Sequence, residues 1–290
     1  MELQILTRPL QSISKVCMIL CTAFLFSCEK NITVDLPQPE NKIVVEGSIE
    51  PGKSAIVFLS KNAPYFSPVD SATLLKYIVK GAIVTVSNGS TTDTLKELLP
   101  SFGYYYQSFT MVGEYGKTYD LTVVADGITL TASTTIPQPI PVDSLWFKPL
   151  SGQDSLGYMW CHFTDPPAMG DNYRFQIMRI GKDPNFMTPR SSVFEDRFVN
   201  GKSFDFFFDR PGKPTGQEME DGYFRKGEII VLKWSTIDRA TFDFWRTAEI
   251  SSRSGGNPFS SPATVRTNIH GKGLGIWAGY GVTYDTLIVK

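Results

Sequence analysis

Histidine is scarce in this chain of 290 residues, which contains only His162 and His270. A metal site made of several histidines therefore cannot be built from this chain alone. The 28 basic and 29 acidic side chains leave a formal net charge of −1, which gives no electrostatic reason to bind nucleic acid. No apolar run reaches the roughly 20 residues of a membrane-spanning helix, which excludes a polytopic membrane protein.

The N-terminus has the pattern of a secretory signal. Basic residues precede an apolar stretch at 16–26, which is long enough for the h-region of a signal peptide and too short for a membrane helix. Ser27-Cys28 follows at once, and a small residue before a cysteine at this place resembles a bacterial lipobox. We expect a signal peptide over 1–27 and acylation of Cys28. The alternative is an ordinary secretory signal in which Cys28 is incidental.

Cysteine is also rare. Of the four cysteines, two lie inside the predicted signal, which leaves Cys28 and Cys161 in the mature chain. If Cys28 carries acyl chains, no intramolecular disulfide can form, so the fold is not a disulfide scaffold. Each buried methylene of an acyl chain contributes about 0.8 kcal/mol, so several chains anchor a protein stably on a membrane.

A proline-rich segment divides the mature chain. In residues 136–141 every second residue is proline, which lacks an N–H and fixes φ, so this segment cannot lie inside a sheet or a helix. We predict a linker at 137–142 between a domain at 41–136 and a larger domain at 143–290. Residues 28–40 are polar and contain proline, and we predict that they form a tether from the lipid.

The first domain has the pattern of an immunoglobulin-like or prealbumin-like β-sandwich. Residues 118–125 and 128–135 alternate apolar and polar side chains, and Asp126-Gly127 between them is a strong hairpin signal. About seven short strands over roughly 100 residues are typical of a β-sandwich. The other candidate strands are 42–49, 54–59, 82–86 and 102–109.

The second domain is predicted to be mostly β with one or two helices. A helix is expected at 237–252, where Ser235 or Thr236 can cap its start. Asn200-Gly201 predicts a hairpin between 194–199 and 203–209. The other candidate strands are 143–150, 158–163, 173–180, 229–234 and 268–289.

Two groups of residues contain the residue types of a nucleotide-binding loop or a metal site but lack the surrounding features that such a site needs. The glycines at 271, 273 and 275 lack the following helix and acidic residue of a dinucleotide-binding loop, and in a strand they would leave room for close packing. Cys161 and His162 point to opposite faces of a strand, so they cannot bind one ion together with Asp165 without a bulge.

Acidic groups occur at Asp165 with Asp171, at Asp205 with Asp209, and at 218–221. None fits an EF-hand loop, and Asp205 and Asp209 would be too far apart on a strand for a glycosidase pair. A calcium site from loop carboxylates stays open, with solvated loop charges as the alternative. We predict no resident metal or cofactor and no enzymatic activity; a hydrolase with an unrecognised carboxylate pair is the less favoured alternative.

Aromatic residues make up 13% of the chain and include the runs 104–106 and 206–208. Such runs place rings on both faces of a strand, where they serve either the core or a binding surface. Five tripeptides of the form Asp-Ser/Thr-apolar resemble the acceptor motif of the O-glycosylation system of Bacteroidota, with turn chemistry as the alternative. Their hydroxyl residues are Ser71, Thr94, Ser144, Ser155 and Thr286.

An ordered series of short matches resembles a Bacteroidota lipoprotein family known only as domain of unknown function 4249. The matching segments are 27–30, 34–37, 43–47, 59–66, 81–84, 135–137, 141–145, 163–166, 172–175, 257–259 and 267–277. The resemblance implies no catalytic residues. Members are often encoded beside TonB-dependent transporters, which implies a lipid-anchored accessory protein of the outer membrane. The alternative is a free-standing surface adhesin or glycan-binding module. The surface and periplasmic faces both stay open, because Lys30 follows Glu29 where many surface lipoproteins are acidic.

Overall fold

A computed structural model describes residues 40–63, 70–99, 104–189, 191–210, 222–254 and 264–290. The predicted signal peptide, Cys28 and the tether up to residue 39 lie outside the described residues, as does the acidic group at 218–221. None of the described helices is long and apolar enough to cross a membrane.

Strands make up most of the described chain. In order, the elements are β1 (Ile43–Ile49), β2 (Ser54–Lys61), α1 (Ser71–Lys76), β3 (Ile83–Ser87), β4 (Thr92–Thr94), β5 (Lys96–Leu98), β6 (Tyr105–Val112), β7 (Thr118–Ala125), β8 (Ile128–Thr135), β9 (Ser144–Leu150), β10 (Gln153–Thr164), β11 (Asn172–Arg179), β12 (Val193–Glu195), a 3-10 helix (Asp196–Phe198), β13 (Ser203–Phe208), β14 (Phe224–Arg225), β15 (Ile229–Ile237), α2 (Arg239–Ser254) and β16 (Leu274–Ile288).

The β7–β8 hairpin forms where the sequence predicts it. Asp126 and Gly127 adopt φ values of 49° and 75°, and two positive φ angles in a two-residue loop give a type I′ turn. Tyr119, Leu121 and Val123 are buried while their neighbours point outward, so the alternating pattern matches the pleat. The prediction of a mostly β fold with an N-terminal sandwich is confirmed.

Three sheets build two sandwiches on one shared layer. The long sheet has eight strands in the order β12-β11-β15-β16-β1-β2-β6-β5. The first cover sheet is β4-β3-β7-β8, and the second cover sheet joins β10 to β13, β14 and β9. The first core lies between β1, β2 and β6 of the long sheet and the first cover sheet, and includes Val45, Val57, Val84, Leu121 and Leu130. The second core lies between β11 and β15 and the second cover sheet, and includes Met159, Phe163, Tyr173, Phe208 and Trp234.

Strand β16 connects the two sandwiches. It pairs in parallel with β1 and antiparallel with β15, so one continuous sheet runs across both cores. Its Trp277 belongs to the first core although the predicted boundary places residue 277 in the second domain. The linker predicted at 137–142 therefore joins two sandwiches that share a sheet, and Glu40–Lys290 forms one compact unit.

Helix α2 packs on the outer face of the long sheet, where Phe242 contacts a cluster that includes Ile276 and Tyr280. Asp238 caps the helix, because its Oδ1 accepts a hydrogen bond of 2.7 Å from the N–H of Thr241. The prediction that Ser235 or Thr236 caps this helix is wrong, since both residues belong to β15.

The hairpin predicted at Asn200-Gly201 does not form. Strand β12 pairs with β11 in the long sheet, whereas β13 pairs with β10 in the second cover sheet. Gly201 does adopt a positive φ of 66°. The turn signal is therefore real, but the chain uses it to pass from one layer to the other.

Candidate functional site

The residues Cys161, His162 and Asp165 have three different environments. Cys161 is fully buried, and this burial raises the pKa of its thiol, so the thiol stays protonated. His162 is partly exposed, and its Nδ1 lies 2.6 Å from Oδ1 of Asp205. The Tyr173 hydroxyl donates a 2.6 Å hydrogen bond to Asp165. The structure therefore does not bring the three groups together as one metal site.

The structure brings Asp165 and Asp171 together, as the sequence suggested, and adds Asp196, which was not predicted to join them. Their carboxylate oxygens lie within 4.8 Å of one another, so these are residues that could hold a cation. Oδ2 of Asp196 accepts hydrogen bonds of 2.6 and 2.9 Å from the N–H groups of Gly170 and Asp171. Burial raises the pKa of Asp171, and the charges of the other two aspartates raise it further.

The glycine series at 271–275 serves packing. A Cβ on Gly275 would lie 1.9 Å from the carbonyl oxygen of Val45, and a Cβ on Gly273 would lie 2.8 Å from the side chain of Leu130. Gly275 lets β16 approach β1 closely, and Gly273, directly before β16, lets the chain pack against β8, as the packing alternative to a phosphate loop predicts.

Five aromatic side chains cover the outer face of the second cover sheet. They are Trp146 on β9, Tyr158 and Trp160 on β10, Phe207 on β13, and Tyr223 just before β14. We call this group the ring platform. The ring centroids of Trp160 and Phe207 are 5.3 Å apart, those of Tyr158 and Phe207 are 4.7 Å apart, and Trp146 stacks on Trp160 at 6.3 Å.

The predicted aromatic runs thus serve both the core and the surface. Phe206 and Phe208 pack against the second core, whereas Phe207 points outward and is 50% exposed. In the run at 104–106, Tyr106 is buried, and its hydroxyl donates to the carbonyl of Val79 at 3.2 Å. Polar groups continue the outer face beyond the rings, including the His162–Asp205 pair.

A cavity of about 290 Å³ opens on the outer face of the long sheet, beside α2. Its lining includes Arg174 of β11, Lys233 of β15, Tyr280 of β16, Trp245 of α2 and Glu50, which follows β1. This cavity was not predicted from the sequence. The one sequence feature that could have indicated the cavity is Arg174, a charged residue between the apolar residues Tyr173 and Phe175. The strand is buried on both faces over Asn172–Phe175.

Ion pairs keep the Glu50 carboxylate in this cavity ionised. Burial acts to raise the pKa of Glu50, but its ion pairs with Lys233 and Lys53 outweigh that effect and lower the pKa. The Lys53 Nζ lies 2.8 Å from Oε2 of Glu50. An ionised carboxylate that is already paired on two sides is poorly suited to act as a general acid.

Four of the predicted glycosylation residues have exposed side chains: Thr94, Ser144, Ser155 and Thr286. Ser71 begins helix α1. Exposure is what an enzyme that modifies a folded protein requires, and modification at these five residues stays a prediction.

Comparison with known proteins gives one family. A family model described as a domain of unknown function, DUF4249, matches residues 29–286. No curated protein matches the sequence significantly. Among solved structures, a segment of two fibronectin type III domains from chicken tenascin matches with a TM-score of 0.20 and 13% identity, covering 69% of this chain and 92% of that chain. The sandwich assignment rests on the sheets and cores described above.

Proposed function

The chain belongs to the family of the domain of unknown function DUF4249, and from this membership and the ring platform we propose that it is a lipid-anchored accessory protein of a TonB-dependent nutrient uptake system. In this proposal acyl chains on Cys28 hold it on the outer membrane. It acts by binding and has no enzymatic role.

The ring platform is the observation that carries this proposal. Phe207 is exposed and the other four rings are half-buried. Contiguous apolar surface that reaches water usually marks an interaction site on a soluble protein. Aromatic side chains are also the residues most enriched at the centres of protein interfaces. The platform lies on the outer face of the second cover sheet, and a broad sheet face suits contact with the surface of another protein. We therefore propose the transporter as its partner.

Co-purification tests the proposal. The protein, tagged at its C-terminus, is isolated from envelopes in mild detergent, and its partners are identified by mass spectrometry. We expect a TonB-dependent transporter in stoichiometric amount with the wild-type protein. Phe207→Glu, which places a charge in the middle of the platform, should abolish its recovery. The matched control is Phe109→Glu, because Phe109 is 59% exposed on β6 of the other sandwich.

A protein that purifies without a transporter would contradict the proposal, and so would recovery that Phe207→Glu leaves unchanged. The anchor has its own test, since Cys28→Ser should abolish incorporation of labelled fatty acid. Mass spectrometry of the mature protein would also show whether Ser71, Thr94, Ser144, Ser155 or Thr286 carries a glycan.

The second candidate function is a free-standing surface adhesin or glycan-binding module. The same rings favour it, because aromatic faces stack on the apolar faces of sugars, and the neighbouring His162–Asp205 pair offers polar contacts. A glycan array probed with the wild-type protein and Phe207→Glu distinguishes the two. Glycan binding that is lost in the variant, without a transporter in the co-purification, would favour the module.

A further inference from the structure

The Arg174 side chain is a buried cation that has no hydrogen-bonding or ion-pair partner among the described residues. It is 6% exposed, and among the described residues its guanidinium makes no hydrogen bond and no ion pair; its Nε is fully buried and unbonded. A guanidinium stays protonated at any physiological pH, so the charge cannot be removed by loss of a proton. Buried polar and charged groups are otherwise almost always paired, and an exception calls for an explanation.

Aromatic packing fixes the orientation of this guanidinium. Its central carbon lies 3.7 Å from the ring centroid of Trp245, and Nε1 of Trp245 donates a 2.8 Å hydrogen bond to the hydroxyl of Tyr280. Stacking uses the face of the guanidinium and leaves its N–H groups available in the plane. Arg174 lines the cavity of about 290 Å³ together with both aromatic residues. It is thus a fixed, planar, positively charged donor at a space that admits a ligand.

The other charged residues that line the cavity limit the charge of the ligand that Arg174 can bind. Lys233 and Lys53 both pair with Glu50, so these residues offer no free anion to Arg174. Glu46 also lines the cavity, but no ion pair joins it to Arg174 among the described residues. A planar carboxylate with one negative charge matches the guanidinium fork. A phosphate, with nearly two negative charges, would be repelled more strongly by Glu46 and Glu50.

We propose that this cavity binds a small organic carboxylate, held through its carboxylate group by Arg174. The volume lies at the lower end of the range for small-molecule sites, which limits the ligand to a compact molecule. Phe58 and Ile276 supply apolar contacts, and Ser48, Gln176 and Thr188 supply polar ones. The cavity lies on the outer face of the long sheet and the ring platform on the outer face of the second cover sheet, so this proposal does not depend on the platform.

Calorimetric titration of the detergent-solubilised full-length protein tests the assignment. The probes are sodium D-glucuronate and propionate, their uncharged counterparts D-glucose and propionamide, and inorganic phosphate. We expect at least one carboxylate to bind, with an affinity that falls as salt rises, and its uncharged counterpart not to bind. Arg174→Met should weaken carboxylate binding by about tenfold or more, since it removes the charged fork but keeps an apolar side chain against Trp245. Arg197→Met, at an exposed arginine beside Phe198, should bind as the wild type does.

Thermal melting separates a binding role from a structural one. If Arg174 only packs on Trp245, Arg174→Met would lower the Tm and leave binding intact, which would overturn the proposal. Arg174→Lys keeps the charge and loses the fork, and we expect it to fold and to bind carboxylates about fivefold or more weakly. Unchanged affinity in Arg174→Lys, no binding of either carboxylate to the wild type, or binding of phosphate in preference to both carboxylates would each overturn the assignment.

Discussion

Gly275 and Val45 lie directly opposite each other where β16 joins β1, and a Cβ on Gly275 would lie 1.9 Å from the Val45 carbonyl oxygen. Gly275 also has a φ of +105°, a region that other residues rarely adopt. The C-terminal strand can therefore join the N-terminal strand only because residue 275 has no side chain.

We predict that Gly275→Ala lowers the free energy of unfolding by about 3 kcal/mol or more, because backbone strain and a backbone clash add at one residue. Denaturant titration measures the effect. Gly222→Ala is the control, since its Cβ would meet the nearest atoms at 3.8 Å, and it should change stability by less than about 0.5 kcal/mol. Equal midpoints for the two variants would contradict the close approach of β16 and β1.

A fragment ending at the predicted linker should not fold alone. Trp277 of β16 fills the first core, and its Nε1 donates a 2.8 Å hydrogen bond to the carbonyl of Tyr119. Removing it leaves a cavity and exposes one edge of β1. We expect residues 28–142 to give poorly dispersed NMR spectra and no cooperative melting transition. A fragment with dispersed spectra and cooperative melting would show that the first sandwich is an independent domain.

The partly buried pair of Glu50 and Lys233 should show strong coupling between its members. Lys233→Met leaves Glu50 with Lys53 as its remaining cation and should cost about 3 kcal/mol, whereas adding Glu50→Gln should recover much of that loss. A double-mutant cycle from urea denaturation gives the coupling energy. Additive effects of the two substitutions would contradict a direct pair.

The same pair predicts a pH dependence. The folded-state pKa of Glu50 is lowered from its ordinary value of 4.5, so its stabilisation is complete above pH 4.5 and is lost as the pH falls through the folded-state value. The Tm difference between the wild type and Glu50→Gln should therefore shrink at the acid end of a series from pH 7 to pH 3. A difference that stays constant over this range would show that Glu50 acts through packing alone.

The contribution of Asp171 to stability should change with pH in the opposite direction to that of Glu50. Its pKa is raised by burial and by Asp165 and Asp196, so its ionisation destabilises the fold as the pH rises from its ordinary value of 3.8 through the folded-state value. Asp171→Asn should raise the Tm by about 1 to 3 °C at pH 7 and have little effect below pH 3.8. Asp120→Asn, at an exposed residue of β7, is the control and should leave the Tm unchanged.

Melting of wild-type protein and Asp171→Asn in EDTA and in millimolar CaCl₂ completes that experiment. We expect the Tm of the wild type to be the same in both solutions, in keeping with the prediction that no metal is resident. A calcium-dependent rise in the Tm of the wild type that Asp171→Asn abolishes would instead establish the calcium site that the acidic residues leave open.

The Cys161 thiol should be unreactive in the folded protein. It is fully buried, and burial raises its pKa, so both access and the thiolate fraction are minimal. In a chain that begins at residue 28 and carries Cys28→Ser, Cys161 is the remaining cysteine. We expect Ellman's reagent to label it only at denaturant concentrations that unfold the protein. Rapid labelling under native conditions would contradict its place in the second core.

The signals that the sequence analysis interpreted correctly act over short distances. The period-two alternation of β7 and β8 and the Asp126-Gly127 turn need only neighbouring residues, because pleat and turn geometry are local. Helix α2 was found within two residues of its bounds for the same reason. Its cap was missed because Ser235 and Thr236 remain in β15, paired with β11 and β16, and the helix starts later.

The amino-acid sequence by itself determined the mostly β fold and the main hairpin, since each depends on composition or on adjacent residues. Only the tertiary structure decided that β16 joins β1, that Asp196 meets Asp165 and Asp171, and that Arg174 stacks on Trp245 beside a cavity. Those contacts join residues far apart in the chain. Their formation depends on how whole layers pack, and no local pattern carries that information.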